Sequence, residues 1–220
     1  FEETSETEHE SSGASLSEIA IYAEVARGFC VRPAGQDIRA GQRVLQQGTV
    51  LRPAEIGILA SLGYSEVKVI RRPLVAVLAT GDELSSPNGG RRSGKVYDSN
   101  SYGVAAAVMR AGGTPMMLGI ARDDSDSISA KLRQGLESDM LVTSAGVSKG
   151  DYDVVKDVLA QYGKIEFWSV RMRPAKPLAF GVLNRPDGSA VPHLGLPGNP
   201  VSALVAFEQF GRPAINKMLG

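Results

Sequence analysis

Apolar and polar positions change rhythm twice along this chain of 220 residues, and the changes divide it. The opening "FEETSETEHESSG" is acidic, polar and almost free of core-forming side chains, which is the composition of a tail or loop. "EIAIYAEV" then alternates, and "RPAGQDIRAGQRVLQQGTVL" is punctuated by glycines at turn spacing, so residues 15–50 read as short strands and turns. In "RPAEIGILASLGYSEVKVI", Pro53 suits the first turn of a helix, Gly63 its stop, and a strand follows. Residues 31–72 are thus expected to form a small β-rich linker domain.

Beyond "RRP" at Arg71–Pro73 the pattern is different. Leu74–Ala79 is a continuous apolar run, as expected of a strand covered on both faces. Helical spacing runs from Ser99 to Arg110 and stops at Gly112 and Gly113. Pro115–Ile120 reads as a strand, "DDSDSISAKLRQGLES" as a capped amphipathic helix, and "DMLVTS" as a third strand. Asp153–Tyr162 is helical, and "KIEFWSV", "PLAFGVL" and "VPHLGL" are strands. A last helix starts at Pro200 behind Asn199 as N-cap, with Pro213 kinking or interrupting it. Strands alternating with helices predict an α/β domain over residues 73–220 built on a doubly wound, mostly parallel sheet.

Composition narrows the function classes. Acidic and basic residues balance at 24 each, so no global field recruits nucleic acid or an anionic membrane. Aromatic residues are few and not interleaved with basic ones, which also argues against a nucleic-acid surface. No apolar run approaches the roughly 20 residues of a membrane helix, and a cytoplasmic protein is the default expectation. Cys30 is the only cysteine and His9 and His193 the only histidines, too few for a typical zinc site. His193, on an apolar strand, is expected to be a core or edge residue. "GRRSGKV" lacks the P-loop spacing, and no GxGxxG follows the first strand.

In open α/β sheets ligands sit at the carboxyl ends of the strands. The polar segments of this chain collect there: "TGDEL" (Thr80–Leu84), "ARDD" (Ala121–Asp124), "TSAGVSKGDYD" (Thr143–Asp153), "RMRPAKP" (Arg171–Pro177) and "LPGNPVS" (Leu196–Ser202). Each alone is explained by turn or cap preferences; five on one edge argue for a site. Gly146 and Gly150 let backbone N–H groups approach an anion, and the following helix start adds partial positive charge. Ser144, Ser148 and Ser202 offer hydroxyls, while Arg171, Arg173 and Lys176 offer cations. Glu83, Asp123, Asp151 and Asp153 would repel an anion unless a metal intervenes. Mg²⁺ with a phosphate-bearing ligand resolves that conflict.

At these segments the chain resembles the molybdopterin molybdenumtransferase family, whose relatives include the E domain of gephyrin. The resemblance rests on "AGQDIRAGQRVL", "IGILASLG", "RRPLVAVLATGDEL", "YDSNSY", "LGIARDD", "TSAGVSKGDYD", "MRPAKPLAFG" and "GLPGNPVSALVAFE", in order from about Val31 to Gly220. It implies that residues 73–220 are a molybdopterin-binding α/β domain. It also implies molybdate insertion into adenylylated molybdopterin with Mg²⁺ present and AMP released. Carried over by motif, Glu83, Asp123 and Asp153 are the catalytic acids, with Asp123 and Asp153 at the metal. Thr80, Gly81, Asp82, Ser144, Gly146, Val147, Ser148, Gly150, Arg173, Lys176, Pro197, Gly198, Asn199 and Ser202 fall at substrate-binding positions. Ala145 and Ala175 stand where the family pattern usually has glycine.

Family members also carry an N-terminal "SAMDGYA"-like region and a C-terminal β domain. The resemblance therefore casts residues 1–30 as the tail of a truncated β-rich domain, in part disordered. In family dimers another subunit's N-terminal domain completes the cleft, so a homodimer is expected of the full-length protein, and ligand binding without turnover is open for the chain alone. A molybdopterin adenylyltransferase-like enzyme and a non-catalytic pterin-binding or scaffold module stay open as alternatives.

Overall fold

Strand β1 (Leu74–Thr80) sets the frame, and its sequence "LVAVLAT" explains why. Val75 through Ala79 are fully buried, although alternate residues point to opposite faces. Val75 and Val77 join one apolar cluster, Ala76 and Leu78 a second on the other side of the sheet. The computed structural model describes residues 21–90, 93–144 and 152–220. These fall into two compact units, divided between Ser65 and Glu66.

In the first unit the described residues form turns and one helix, α1 (Pro53–Ser61). Its ends are those the sequence predicts. Pro53 opens the first turn behind Arg52, whose backbone N–H and guanidinium both bond the Glu55 carboxylate. Gly63 follows the helix at φ +82°, a left-handed stop. The expected β-rich character of residues 31–72 is not found, and this corrects the reading. Among the described residues of that span no strand forms, and "EVKVI" runs on without a ladder partner, leaving Val67, Val69 and Ile70 exposed. Alternation permits a strand, but only a neighbouring edge that takes up its N–H and C=O groups makes one.

The second unit holds a six-stranded sheet in the order β4-β1-β5-β8-β7-β6. The remaining strands are β4 (Thr114–Ala121), β5 (Met140–Ser144), β6 (Gly163–Ser169), β7 (Pro177–Asn184) and β8 (Ala190–Leu196). β4, β1, β5 and β8 are mutually parallel. β7 runs antiparallel to both β8 and β6, and the two reversals return β6 to the direction of the parallel group. A short parallel ribbon, β2 (Leu84–Ser85) with β3 (Val96–Tyr97), stands apart from the sheet.

Helices cover both faces. α2 (Asn100–Arg110), α5 (Pro200–Ala206) and α6 (Arg212–Met218) contribute Val104, Val108, Ala203 and Ile215 to one cluster. α3 (Ser125–Gly135) and α4 (Tyr152–Tyr162) bring Ile128, Leu132, Val158 and Leu159 to the other. Each Val, Leu or Ile side chain so removed from water stabilises the fold by about 1.5–3 kcal/mol. Asp124 caps α3 by accepting the Ser127 N–H at 2.7 Å, as its spacing predicts. Between α5 and α6 the chain makes one π-helical turn, Phe207–Gly211, and Pro213 follows it. Phe207, which opens that turn, and Ile215, beyond it, are both fully buried.

Two contacts tie the entrance of β1. Asp139, just before β5, accepts the Leu74 N–H at 2.7 Å and receives both Arg71 guanidinium nitrogens at 2.5 and 2.6 Å. Those bonds hold its carboxyl below the usual range. Among the described residues, no helix is long and apolar enough to cross a membrane.

Candidate functional site

Parallel strands end together, so β1, β4, β5 and β8 deliver their carboxyl ends to one edge. Thr80 pairs with Ala121, Ala79 with Ser144, and Ser144 with Leu196. The hairpin from β6 to β7 turns at that same edge, where Ser169 pairs with Pro177. All five polar segments anticipated from the sequence therefore leave or enter the sheet there. The helix that follows β1 packs on one face, while those following β4 and β5 pack on the other. Their connections part above the sheet, which is where α/β folds bind ligands.

The acidic residues are arranged by reciprocal bonds. The Asp82 backbone N–H donates to Asp123 Oδ2 at 3.0 Å, and the Asp123 N–H donates to Asp82 Oδ1 at 3.4 Å. The connections after β1 and β4 are thereby locked to each other, and each carboxylate keeps its second oxygen outside the pair. Lys95, at the end of the loop before β3, donates its Nζ to the Asp82 carbonyl and brings a cation to the acids. Gly81 has φ +142°, and a Cβ there would run into the Glu83 carboxylate, which folds back over it. Among the described residues no group of three or more His, Cys, Asp or Glu side chains forms a metal cage. Two hard carboxylates, Asp82 and Asp123, stand side by side at this edge, and Mg²⁺ takes one or two carboxylates plus substrate oxygens.

Across the edge the "PGNP" turn forms the opposite wall. Asn199 Oδ1 accepts the Ser202 N–H at 3.1 Å and caps α5, as read from the sequence. Pro197 is buried, Gly198 and Asn199 are exposed, and Ser202 is half-buried. Asn100 Nδ2 donates to the Gly198 carbonyl at 2.7 Å. Arg173 and Lys176 are exposed on the loop after β6, which is closed by the Val170 N–H on the Lys176 carbonyl at 2.8 Å. Ala175 in that loop keeps φ +72° while its methyl is buried among Val170, Met172 and the core. The left-handed backbone that glycine would favour is thus retained with a Cβ in place.

Thr80 and Ser144 end their strands and are buried, so their hydroxyls are not open to solvent. Gly146, Val147, Ser148, Gly150 and Asp151 lie outside the described residues. Asp153 lies in α4, with its side chain outside the description. Directly beneath, Thr143 Oγ1 bonds His193 Nε2 at 3.0 Å in the fully buried centre of the sheet. Desolvation pushes this imidazole down to about 4, so it is neutral and packs as a core residue, in agreement with its apolar setting in the sequence. A separate groove of about 430 Å³ lies between α2 and α5, lined by Gly103, Ala107, Arg110, Leu204 and Glu208. Its walls are mainly aliphatic, and the acids and cations above are not among them.

Sequence reading missed Lys95 and Asn100. Lys95 sits in the rejected "GRRSGKV", where a two-residue strand leaves no periodic signal. Asn100 lies in "YDSNSY", and only the tertiary fold brings it to Gly198.

Sequence comparison matches residues 76–217 to a family described as a probable molybdopterin binding domain. Residues 1–63 match the MoeA N-terminal region, domains I and II. A Mycobacterium tuberculosis protein named molybdopterin molybdenumtransferase 2 is 38% identical over 218 residues, 96% of this chain and 53% of its own length. A molybdopterin molybdenumtransferase from Nostoc sp. is 42% identical over 195 residues, 88% of this chain and 44% of its own. The crystal structure of a molybdopterin biosynthesis MoeA protein from Pyrococcus horikosii superposes with a TM-score of 0.77 at 30% identity, covering all of this chain and 52% of that one. The chain spans about half the length of the curated relatives it matches. With the match running from β1 through α6 and taking in every strand of the sheet, the chain belongs to the molybdopterin-binding domain family.

Proposed function

We propose that this chain is the molybdopterin-binding part of a molybdopterin molybdenumtransferase, which inserts molybdenum into adenylylated molybdopterin and releases AMP. The observation that carries the reading is the convergence of five polar segments on one strand edge, with the Asp82–Asp123 pair at one side and the Gly198–Ser202 turn at the other. The relatives' names speak for molybdenum transfer to molybdopterin, and the edge offers a chemistry suited to it. Both substrates are anions rich in oxygen, and this edge combines exposed cations with a capped helix start.

The geometry supports a division of labour. Arg173 and Lys176 neutralise the phosphate and the tetrahedral molybdate, and Ser202 with the α5 turn orients them. Asp82 and Asp123, with Asp153 as the further acid, would hold Mg²⁺. When bound, that ion supplies charge neutralisation between carboxylates and the leaving phosphate. Glu83 stands beside the same acids as the proton-handling group. The full-length protein is a cytoplasmic homodimer in this reading.

The test uses the full-length protein with adenylylated molybdopterin, molybdate and Mg²⁺, scoring active cofactor and AMP. Yield above a protein-free control is expected, and its absence sinks the proposal. ATP-dependent adenylylation of molybdopterin in its place would move the chain to the adenylyltransferases. Asp123→Asn should weaken Mg²⁺-dependent binding of the adenylylated pterin at least about tenfold, through loss of a charged ligand, while the amide oxygen still accepts the Asp82 N–H.

A further inference from the structure

Asn100 opens α2, yet it does not cap it. The Ser101 N–H is taken by Asp98, whose Oδ1 lies 3.0 Å away and whose side chain is almost completely buried. Asp98 is itself held by its own N–H on the Ser85 carbonyl at 2.9 Å. The Asn100 side chain is therefore free for another task, and it reaches 98 positions along the sequence to the Gly198 carbonyl. That contact costs something, because Asn100 Oδ1 is buried with no partner among the described residues. Local helix formation does not require such a residue. An alanine would occupy this first helical turn as well and leave no orphaned acceptor.

The Gly198 carbonyl belongs to the turn that presents the Ser202 wall. Gly198 and Asn199 are exposed, and from the helix side the turn is held at Asn199, whose side chain accepts the Ser202 N–H and whose carbonyl accepts the Ala203 N–H at 2.9 Å. The bond from Asn100 holds it from the other. We infer that Asn100 is a positioning residue for the oxyanion wall: by donating to Gly198 it fixes the turn whose N-cap and hydroxyl face the anion. This rests on the proposed role of the Gly198–Ser202 turn. Asn100 acts through the turn and touches no reacting atom. The same arrangement couples the two walls, because Asn100 follows β3, whose ribbon partner β2 continues from Glu83, and Lys95 precedes β3.

The experiment compares Asn100→Ala and Asn100→Asp in the full-length protein. Alanine removes the donor, whereas aspartate keeps the shape but sets a carboxylate against the Gly198 carbonyl. Positioning by hydrogen bond predicts that aspartate is the worse of the two. The KM for molybdate should rise roughly tenfold with alanine and further with aspartate, with kcat changed less than KM. Hydrogen exchange gives a readout free of the reaction. The amides of Ser202 and Ala203 should exchange about tenfold faster in Asn100→Asp than in the parent, with the amides of β1 and β5 unchanged. A packing role predicts the reverse order, with the isosteric aspartate closer to the parent, and that order overturns the inference. Unchanged exchange at Ser202 in both variants overturns it also. An inactive parent with accelerated exchange in the variants would leave the clamp intact and defeat the reaction assignment alone.

Discussion

Acidification should weaken this fold through one residue, His193. Its ring is fully buried between β5 and β7, with Nε2 on Thr143 and Nδ1 without a partner among the described residues. Protonation would place a charge and a second N–H donor in a site closed to solvent, where no carboxylate bonds the ring among the described residues. The folded group titrates at about 4, against 6.5 for an unperturbed histidine. Because the folded value is depressed, the unfolded chain takes up the proton first as pH falls. Stability from this group is flat above pH 7 and declines from near 6.5 downward, levelling off below 4. Linkage puts the loss at about 1 kcal/mol at pH 6, about 2 at pH 5 and about 3 at pH 4. Against a total of roughly 5–15 kcal/mol that is a large fraction.

The assay is urea unfolding of the chain from pH 7.5 to 4, followed by the fluorescence of Trp168, its single tryptophan, on β6. His193→Leu is the control, since it leaves every other titrating group in place. The difference between parent and variant should change with pH along the curve just given. Carboxylates titrate in both proteins and cancel. A difference that stays constant between pH 6.5 and 4 would refute the assignment of a neutral, desolvated ring.

Two further outcomes test the frame around the site. Asp139→Asn should destabilise by about 1–2 kcal/mol at pH 7, because a charge-assisted bond to the Leu74 N–H and the fork to Arg71 are lost. As the Asp139 carboxyl is held below its usual range, the difference from the parent should persist above pH 4 and shrink as pH falls through the folded value; thermal melts at pH 7 and pH 3 check this. Ala175→Gly should leave stability within about 1 kcal/mol, since relief of the left-handed strain is offset by lost burial and a more flexible unfolded chain. Ala175→Val should cost at least about 2 kcal/mol by the same melts, because a β-branched residue at positive φ is strained in a filled core.

Much of the sheet was legible because its signals are local. An apolar run that buries both faces marks β1, and Asn199-Pro200 marks the start of α5 within a residue. The common edge followed from the alternation of strands and helices alone. Three features were not legible. The antiparallel insertion of β7 depends on which edge is free when β8 has paired with β5, and no local pattern carries that. The β2–β3 ribbon has two residues in each strand, too few for a period of two to appear. Within residues 31–72, "EVKVI" alternates like a strand yet finds no partner edge among the described residues. At the site, Asp82 and Asp123 were marked by their place after strands, whereas their exchange of backbone bonds needed the β1–β4 register. Lys95 and Asn100 act at positions that only tertiary contact defines.

The π-helical turn at Phe207–Gly211 has a consequence for how the last helix meets the core. On an unbroken α-helix a residue seven positions on comes back to nearly the same side, and one eight positions on is rotated by roughly 80°. Phe207 and Ile215 are eight apart, yet both point into the same apolar cluster. The wide turn absorbs one residue, so the helix behaves as a ratchet advanced by a single tooth. Gly211 is part of the mechanism, for any Cβ there would strike the Phe207 ring. Shortening the segment by one residue would let an ordinary helix close and swing Ile215 away from the sheet. The count of residues between these two anchors is therefore as much a determinant of the fold as their apolar character.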